Sequence, residues 1–520
     1  MFMCKPKLAL TGLATFLSLI YSPISADTVT LNSVDGSVSI SGDLLEYDGV
    51  SYRLKMLIGE ITIEASQVEC EGPGCPNLVS DITEFSIVGS NSIGMDLLPT
   101  LIEVYALERG GDLNISTGEN GATVYEVHDA DGTEYASISV VSNDSMAGFS
   151  SLMEGSAVIG MSSRRVSGNE VAAFKLTGHG LLNSAELERI VALDAVVVAV
   201  NDNNPVSILS LDQMASIFDG SITNWNQVGG SDAPIRLYRR DEASGTTTVF
   251  SNAAMAPGGR RLTQNAVLLN SDAEVSDAVA ADENGIGLTS YAQEGNARSV
   301  AIRSVCGQLF EPSEFTIKSE EYPLTRRMYL YTNGEIIPDV ASEFLAFVAS
   351  DDAQSVILNS GFVGQDSSRA TLDQQGRRMA QAIVSSSGRT ELLQLQDLTG
   401  IVLDAERLSF TLRQGVTGAF DSRAMADIER LAEMIRDGEF GGRQLLVFGF
   451  SDNSAPADVQ LTDTQDLAQR AREAIVAATG SANLGNVRIS PIGYGGLLPL
   501  ACNETPFGQA RNNRVEIWVK

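Results

Sequence analysis

The stretch Arg240-Asp241-Glu242-Ala243-Ser244-Gly245-Thr246 sets a guanidinium four residues before a small, hydroxyl-rich turn. Thr247-Thr248-Val249-Phe250 follows and reads as the start of a helix, whose first N–H groups have no partner within the helix and carry a partial positive charge. Gly245 lets a ligand approach the backbone closely, Ser244 and Thr246 add hydroxyls, and Arg240 adds a planar fork of donors. Together these make a socket for a small tetrahedral oxyanion. Three other segments offer matching groups: Gly89-Ser90-Asn91-Ser92-Ile93-Gly94, Ser145-Met146-Ala147-Gly148 and Ser162-Ser163-Arg164.

The elements around these segments place them at strand ends. Phe85 to Gly89 is expected as a strand ending at the first Gly/Ser turn, with a helix from Leu97 to Ala106. Phe149 to Met153 is expected as a helix, and Ala157 to Met161 as a buried strand running into Ser162-Ser163-Arg164. Further strands are expected at Ala195–Val200 and Ile286–Leu288, with a helix at Ala273–Ala281. This alternation predicts α/β layers around a mostly parallel sheet, where ligands sit at the carboxyl ends of strands.

Composition bounds the rest. The 520 residues allow two or three domains. Lys5 and Lys7 precede the apolar run Leu8 to Ile20, and Ser25-Ala26 offers a cleavage site, so residues 1–26 read as a secretory signal peptide. Cys4 lies too early to be a lipoprotein cysteine. The net charge is −31, or about −33 without the two leader lysines, which argues against nucleic acid as a partner. An anion site in this chain must work by local donors against the global field. Four cysteines remain after the leader. Cys70 and Cys75 bracket the turn Glu-Gly-Pro-Gly, so a local disulfide is expected in an exported chain; the pairing of Cys306 and Cys502 stays open. With His128 and His179 the only histidines, neither a metal site nor a cofactor is expected.

Residues 27–80 alternate in short runs with Asp-Gly turns at 35–36 and 48–49, the pattern of a small antiparallel β unit. Residues 366–398 are polar and read as a linker containing a helix from Arg377 to Val384. Residues 399–520 read as a small α+β domain: helices at Arg423–Arg436 and about Thr464–Ala478, strands at Gln444–Phe450, Val487–Ile492 and Val515–Val519.

The order and spacing of the four Ser/Gly segments resemble the substrate-binding protein of the phosphate ABC transporter, over about residues 80–365. Ile190 to Ala195, Ile217-Phe218-Asp219-Gly220 with Asn224-Trp225, and Tyr322-Pro323-Leu324 are similar to framework of that family. The resemblance implies a two-lobed periplasmic-binding-protein type II clamp closing over its ligand. It also implies that Ser92, the Ile93 N–H, Ser145, Ser163, Arg164, Arg240, Ser244, Gly245 and Thr246 hold phosphate, with Glu242 orienting Arg240. Some members carry, in the segment matching Ser163, an Asp that accepts the proton of hydrogen phosphate and rejects sulfate. This chain has Ser163-Arg164 there, so phosphate over sulfate is not settled by the motif.

The pieces Gly449-Phe450-Ser451-Asp452-Asn453, Leu467-Ala468-Gln469-Arg470-Ala471 and Gly508 to Ile517 resemble the OmpA-like peptidoglycan-binding domain. That resemblance implies that Asp452 and Arg470 grip the diaminopimelate of a stem peptide, with Arg472 taking the role under another register. The two resemblances together imply an exported, non-enzymatic phosphate-binding protein in the periplasm of a Gram-negative bacterium. It would be held to peptidoglycan at the wall or outer membrane, with an ABC permease as a further partner. The alternative is an envelope structural or assembly protein whose clamp has lost or changed anion binding. A phosphoester hydrolase has poor support in the sequence, which shows no histidine beside a candidate nucleophile, no Ser/His/Asp set and no metal cluster.

Overall fold

The computed structural model describes residues 28–33, 38–47, 51–56, 59–72, 74–75, 82–184, 186–334, 337–386, 388–415, 418–503 and 506–520. The leader and the two Asp-Gly turns read from the sequence lie outside them. The chain divides into two compact units, Met1–Asp81 and Ile82–Lys520.

In the first unit, five antiparallel strands form one sheet in the order Gly59–Glu64, Ser51–Met56, Ser39–Tyr47, Thr28–Ser33, Val68–Glu71. Alternate residues Val29, Leu31, Tyr52 and Leu54 are its buried core, as the period of two requires. Cys70 and Cys75 form the expected disulfide.

In the second unit, an 11-stranded sheet among the described residues runs through two lobes. Lobe 1 is built on the parallel strands Ile159–Ser162, Thr83–Ser90 and Glu134–Asn143, and lobe 2 on Gly285–Ser290, Arg236–Arg239 and Val267–Leu268. Glu188–Val200 leaves lobe 1 for lobe 2, and Thr325–Tyr331 returns antiparallel to it, with Asp194 opposite Arg326. Along these two strands the core changes hands. Val191, Ala192, Met328 and Leu330 belong to the lobe 1 core, whereas Leu193, Ala195 to Val198, Val200 and Leu324 belong to that of lobe 2. The sheet is therefore mixed, not mostly parallel as the strand–helix alternation suggested, because a chain that crosses between lobes and comes back must pair antiparallel at the crossing. The middle region is an α/β fold of two lobes joined by two crossing strands.

The C-terminal part holds a five-stranded mixed sheet in the order Arg369–Thr371, Glu406–Leu412, Arg514–Val519, Gln444–Phe450, Arg488–Gly493. Gln444–Phe450 and Arg488–Gly493 pair parallel, the others antiparallel. Leu408, Phe410, Leu445, Val447, Val515 and Ile517 face the helices Ser422–Arg436 and Ala457–Thr479. The alternate residues Leu446, Phe448, Phe450 and Trp518 face the other way and need their own cover. That cover comes from the helices Gly376–Ser385 and Arg389–Val402, through Met379, Ala382, Leu395, Leu398 and Val402. Residues 366–398 are thus part of this domain and not a linker; their polar surface had masked a narrow apolar stripe.

Where this domain meets lobe 2, charge is buried. Glu516 has a fully buried side chain and takes Arg378 at 2.5 Å, Arg514 at 2.7 Å and Arg407 at 3.2 Å, while Arg407 also pairs with Glu321 of lobe 2. Burial by itself would raise the Glu516 carboxyl, but the three guanidinium groups outweigh it and hold the group well below the ordinary carboxylate range. Such a group contributes stability that is present above its unfolded value near about pH 4.3 and is lost as pH falls further. Glu516→Ala strands three buried guanidinium groups and should cost about 3–5 kcal/mol. Urea unfolding of the full chain followed by tryptophan fluorescence checks this, Trp518 lying beside Glu516; an unchanged midpoint at pH 7 would contradict it.

Candidate functional site

Arg240 follows the strand Arg236–Arg239, and a short turn leads into the helix Gly245–Phe250. The turn is held from inside. Asp241 Oδ1 accepts from the Ser244 N–H at 2.9 Å, Ser244 Oγ accepts from the Thr247 N–H at 3.2 Å, and Thr247 Oγ1 donates to the Arg240 carbonyl at 3.2 Å. Ser244 is therefore the helix N-cap. A Cβ on Gly245 would collide with Ser163 Oγ of the opposite lobe and stand 3.6 Å from Ser145 Oγ. The two lobes touch at this point, and any side chain there would have to push Ser163 Oγ aside. Across from it, Ser163 follows the strand Ile159–Ser162 and Ser145 opens the helix Ser145–Glu154, which begins four residues earlier than expected because Asp144 caps it. The Ser163 N–H donates to Ser145 Oγ at 3.2 Å.

At the centre stands Asp272, the first residue of the helix Asp272–Ala280, 1% exposed. Its Oδ2 accepts from Thr246 Oγ1 at 2.8 Å, from Ser92 Oγ at 3.4 Å and from Arg326 Nη2 at 3.4 Å. Its Oδ1 is buried without a hydrogen-bond partner among the described residues and lies 4.0 Å from Arg240 Nη1. Arg326 donates to Thr246 Oγ1 at 2.8 Å and pairs with Asp194 Oδ2 at 2.7 Å. Asp194 also accepts from Ser290 Oγ and the Ala292 N–H. Asp96 adds a third carboxyl in reach of these charges. Burial, and then the negative Asp272, push it up to about 6, against the pull of Arg326 and Arg240.

Of the residues expected at the site, Ser92, Arg240 and Thr246 converge on Asp272, and Ser145, Ser163 and Gly245 form the contact between lobes. Ile93 is fully buried in the same short turn as Ser92. Two expectations are corrected. Arg164 turns away: its guanidinium is held by Glu170 at 2.6 and 2.9 Å and lies over the Phe149 ring. Glu170 completes a capping box two residues into its helix, so Arg164 serves that helix start. Glu242 is exposed; the carboxylate beside Arg240 is Asp272, which comes from a helix 32 positions on in the chain. Asp272, Arg326, Asp194 and Asp96 are the residues that sequence reasoning missed. Asp194 and Arg326 sit inside or beside segments already noted as framework, but nothing local marks Asp272.

In the C-terminal domain, Asp452 Oδ2 accepts from Asn513 Nδ2 at 2.9 Å and its N–H donates to Asn513 Oδ1 at 2.9 Å. The end of the strand Gln444–Phe450 and the last motif of the chain therefore meet. Arg470 is exposed and reaches the Gly418 carbonyl at 3.5 Å, whereas Arg472 is half-buried and donates to the Ile489 carbonyl at 3.3 Å. The two arginines leave the helix on different sides.

Residues 108–352 match the model of the PBP superfamily domain. The phosphate-binding protein PstS of Bacillus subtilis is 28% identical over 248 residues, covering 47% of this chain and 76% of its own. PstS of Pseudomonas aeruginosa is 28% identical over 229 residues, covering 41% of this chain and 69% of its own. A putative phosphate ABC transporter substrate-binding protein of Clostridium perfringens, solved with bound phosphate, is 24% identical with a TM-score of 0.42. It spans 54% of this chain and 99% of its own. The two curated relatives are named for binding phosphate.

The contact between lobes gives a direct test. Gly245→Ala should keep the jaws apart, because the new methyl collides with Ser163 Oγ. Small-angle scattering should then give a larger radius of gyration than for the parent; equal values would mean that Ser163 gives way.

Proposed function

We propose that the middle region is a clamp that captures inorganic phosphate, or a like tetrahedral oxyanion, between its lobes. The observation that carries this reading is the pairing of Arg240 with the unpartnered Oδ1 of Asp272, amid the hydroxyls of Ser92 and Thr246. Donors alone would take any oxyanion. One buried carboxylate among them favours an oxyanion that carries a proton, because a protonated oxygen donates to Oδ1 while a bare one meets lone-pair repulsion. Asp272 then supplies the acceptor that Ser163 lacks. The Ser145 and Ser163 hydroxyls and the N–H groups at Ile93, Gly245 and Thr246 complete the cradle, with Ser244 shaping the turn. Capture without chemistry agrees with relatives that are named for binding phosphate.

The C-terminal domain, in this reading, docks on peptidoglycan, with Asp452 and Arg470 taking the ammonium and carboxylate of a stem-peptide side chain. Its motif order and the Asp452–Asn513 bonds support this. Arg470 is better placed than Arg472, which is half-buried and turned to the neighbouring strand. No helix among the described residues is long and apolar enough to cross a membrane. In this reading the wall contact supplies the attachment in the periplasm, with an ABC permease as the recipient of the ligand. One observation favours the alternative of a structural clamp without ligand: Thr246 and Arg326 already bond to each other and to Asp272 Oδ2.

Calorimetry on the full chain separates these readings. Phosphate should bind, sulfate at pH 8 should not, and Arg240→Ala should weaken phosphate by at least about 100-fold, the loss of a buried charge-assisted pair. Asp272→Asn should admit sulfate. Heat from no anion at all would support the structural clamp. Separately, sedimentation with purified peptidoglycan sacculi should pull down the parent, and Asp452→Asn with Arg470→Ala should stay in the supernatant; equal pelleting would remove the proposed wall contact.

A further inference from the structure

The return strand Thr325–Tyr331 carries two arginines side by side, and neighbours on a strand point to opposite faces. Arg326 enters the cluster around Asp272. Arg327 turns to the other face, where it pairs with Glu320 at 2.6 Å and with Asp421 at 3.4 Å. Asp421 caps the helix Ser422–Arg436 of the C-terminal domain, accepting from the Ala424 N–H at 2.8 Å. The crossing strands thus have the proposed anion site on one face and the C-terminal domain on the other.

The C-terminal domain is attached very unequally to the two lobes. To lobe 2 it is joined covalently by Cys306–Cys502. Gln308 donates to the Pro499 carbonyl at 2.6 Å, Arg377 pairs with Glu311 at 2.6 Å, Arg413 with Glu320 at 3.5 Å, and Arg407 with Glu321. Toward lobe 1 the attachment among the described residues is lighter: the chain itself, which passes through Gln365 beside the lobe 1 helix Asp351–Asn359, and one side-chain bond. Ser422 Oγ donates at 3.0 Å to Glu188, which Arg165 and Tyr331 hold from the lobe 1 side. Beside that bond lies a cavity of about 410 Å³, with Leu345, Ala346 and Ala349 of lobe 1 on one wall and Ala426 and Arg430 of the C-terminal domain on another. A cavity of about 520 Å³ also lies at the lobe 2 seam, between Phe310 and Glu311 on one wall and Gln374 and Arg377 on the other, so the disulfide and the ion pairs, and not the packing, set the two seams apart.

We propose that the C-terminal domain is a rigid extension of lobe 2 and that lobe 1 is the jaw that moves. This rests on the clamp reading above. A domain fixed to both lobes would have to be strained or released at every closure, whereas one fixed to lobe 2 leaves closure free. Anchoring the C-terminal domain to a large partner then immobilises lobe 2 alone, and capture and attachment do not compete.

Nitroxide labels test this in the full chain, whose four cysteines of the described residues are all in disulfides. Leu107 on lobe 1, Leu268 on lobe 2 and Met425 on the C-terminal domain are exposed. Pulsed electron resonance is recorded without phosphate and at saturation, with phosphate binding to each labelled pair verified by calorimetry. The Leu107→Cys/Met425→Cys distance should shift by several ångströms while Leu268→Cys/Met425→Cys stays constant. A shift in the Leu268–Met425 pair as large as that in the Leu107–Met425 pair overturns the proposal, and so do static distances in protein that binds phosphate. Absence of phosphate binding in the unlabelled parent instead sinks the clamp reading itself.

Discussion

The burial of Arg326 is the constraint from which the rest of the second unit follows. This guanidinium is almost wholly removed from water where the core of lobe 1 gives way to that of lobe 2. A buried charge without partners costs several kcal/mol, and losing one partner of a buried pair costs about 3–5 kcal/mol. Asp194, directly opposite on the outgoing strand, and Asp272, from a lobe 2 helix, meet that demand. Meeting it fixes the register of the crossing strands, the start of the helix Asp272–Ala280 and the position of Thr246, which sits between Arg326 and Asp272 in a relay of two hydrogen bonds of 2.8 Å each. The groups that face the jaw are therefore placed by the same bonds that hold the lobes at their crossing.

Charge has to be local for the proposed anion site to work in this chain. A net charge of −31 repels anions at long range, and screening by salt confines that repulsion to about 10 Å at ordinary ionic strength. Inside the cluster Arg240, Arg326, hydroxyls and backbone N–H groups act at a few ångströms in a water-poor setting, where each interaction is stronger than at the surface. The three carboxyl groups that share the space limit what can enter. Asp194 is used up by Arg326, Asp96 is raised toward its protonated form by burial and by Asp272, and Asp272 keeps one oxygen open beside Arg240.

The C-terminal domain follows from a sheet with two apolar faces. Leu445 and Val447 look to one side, Leu446 and Phe448 to the other, and both need cover. The helices Gly376–Ser385 and Arg389–Val402 provide the second layer and bring Arg378 to Glu516 at the border with lobe 2. Disulfide and ion pairs then concentrate on that border.

Much of this was legible in the residues themselves. The strands at Gln444–Phe450 and around Ile159, the helix beginning near Ser422, the N-terminal β unit and the Cys70–Cys75 bridge are local features. Alternation, capping residues and a short turn between cysteines encode them within ten or so positions. So is the turn at Ser244-Gly245-Thr246, because its caps are made within the turn. What the sequence could not decide was which charges meet. Arg164 and Arg240 look alike as residues after strands, yet Glu170, six positions on, claims the first, while the second faces Asp272 from another helix. Cys306 and Cys502, 196 positions apart, are joined only because lobe 2 and the C-terminal domain abut. Local backbone preference is written in neighbours along the chain. The pairing of buried charges depends on distances in space between segments far apart in sequence, and those exist only once both cores have formed.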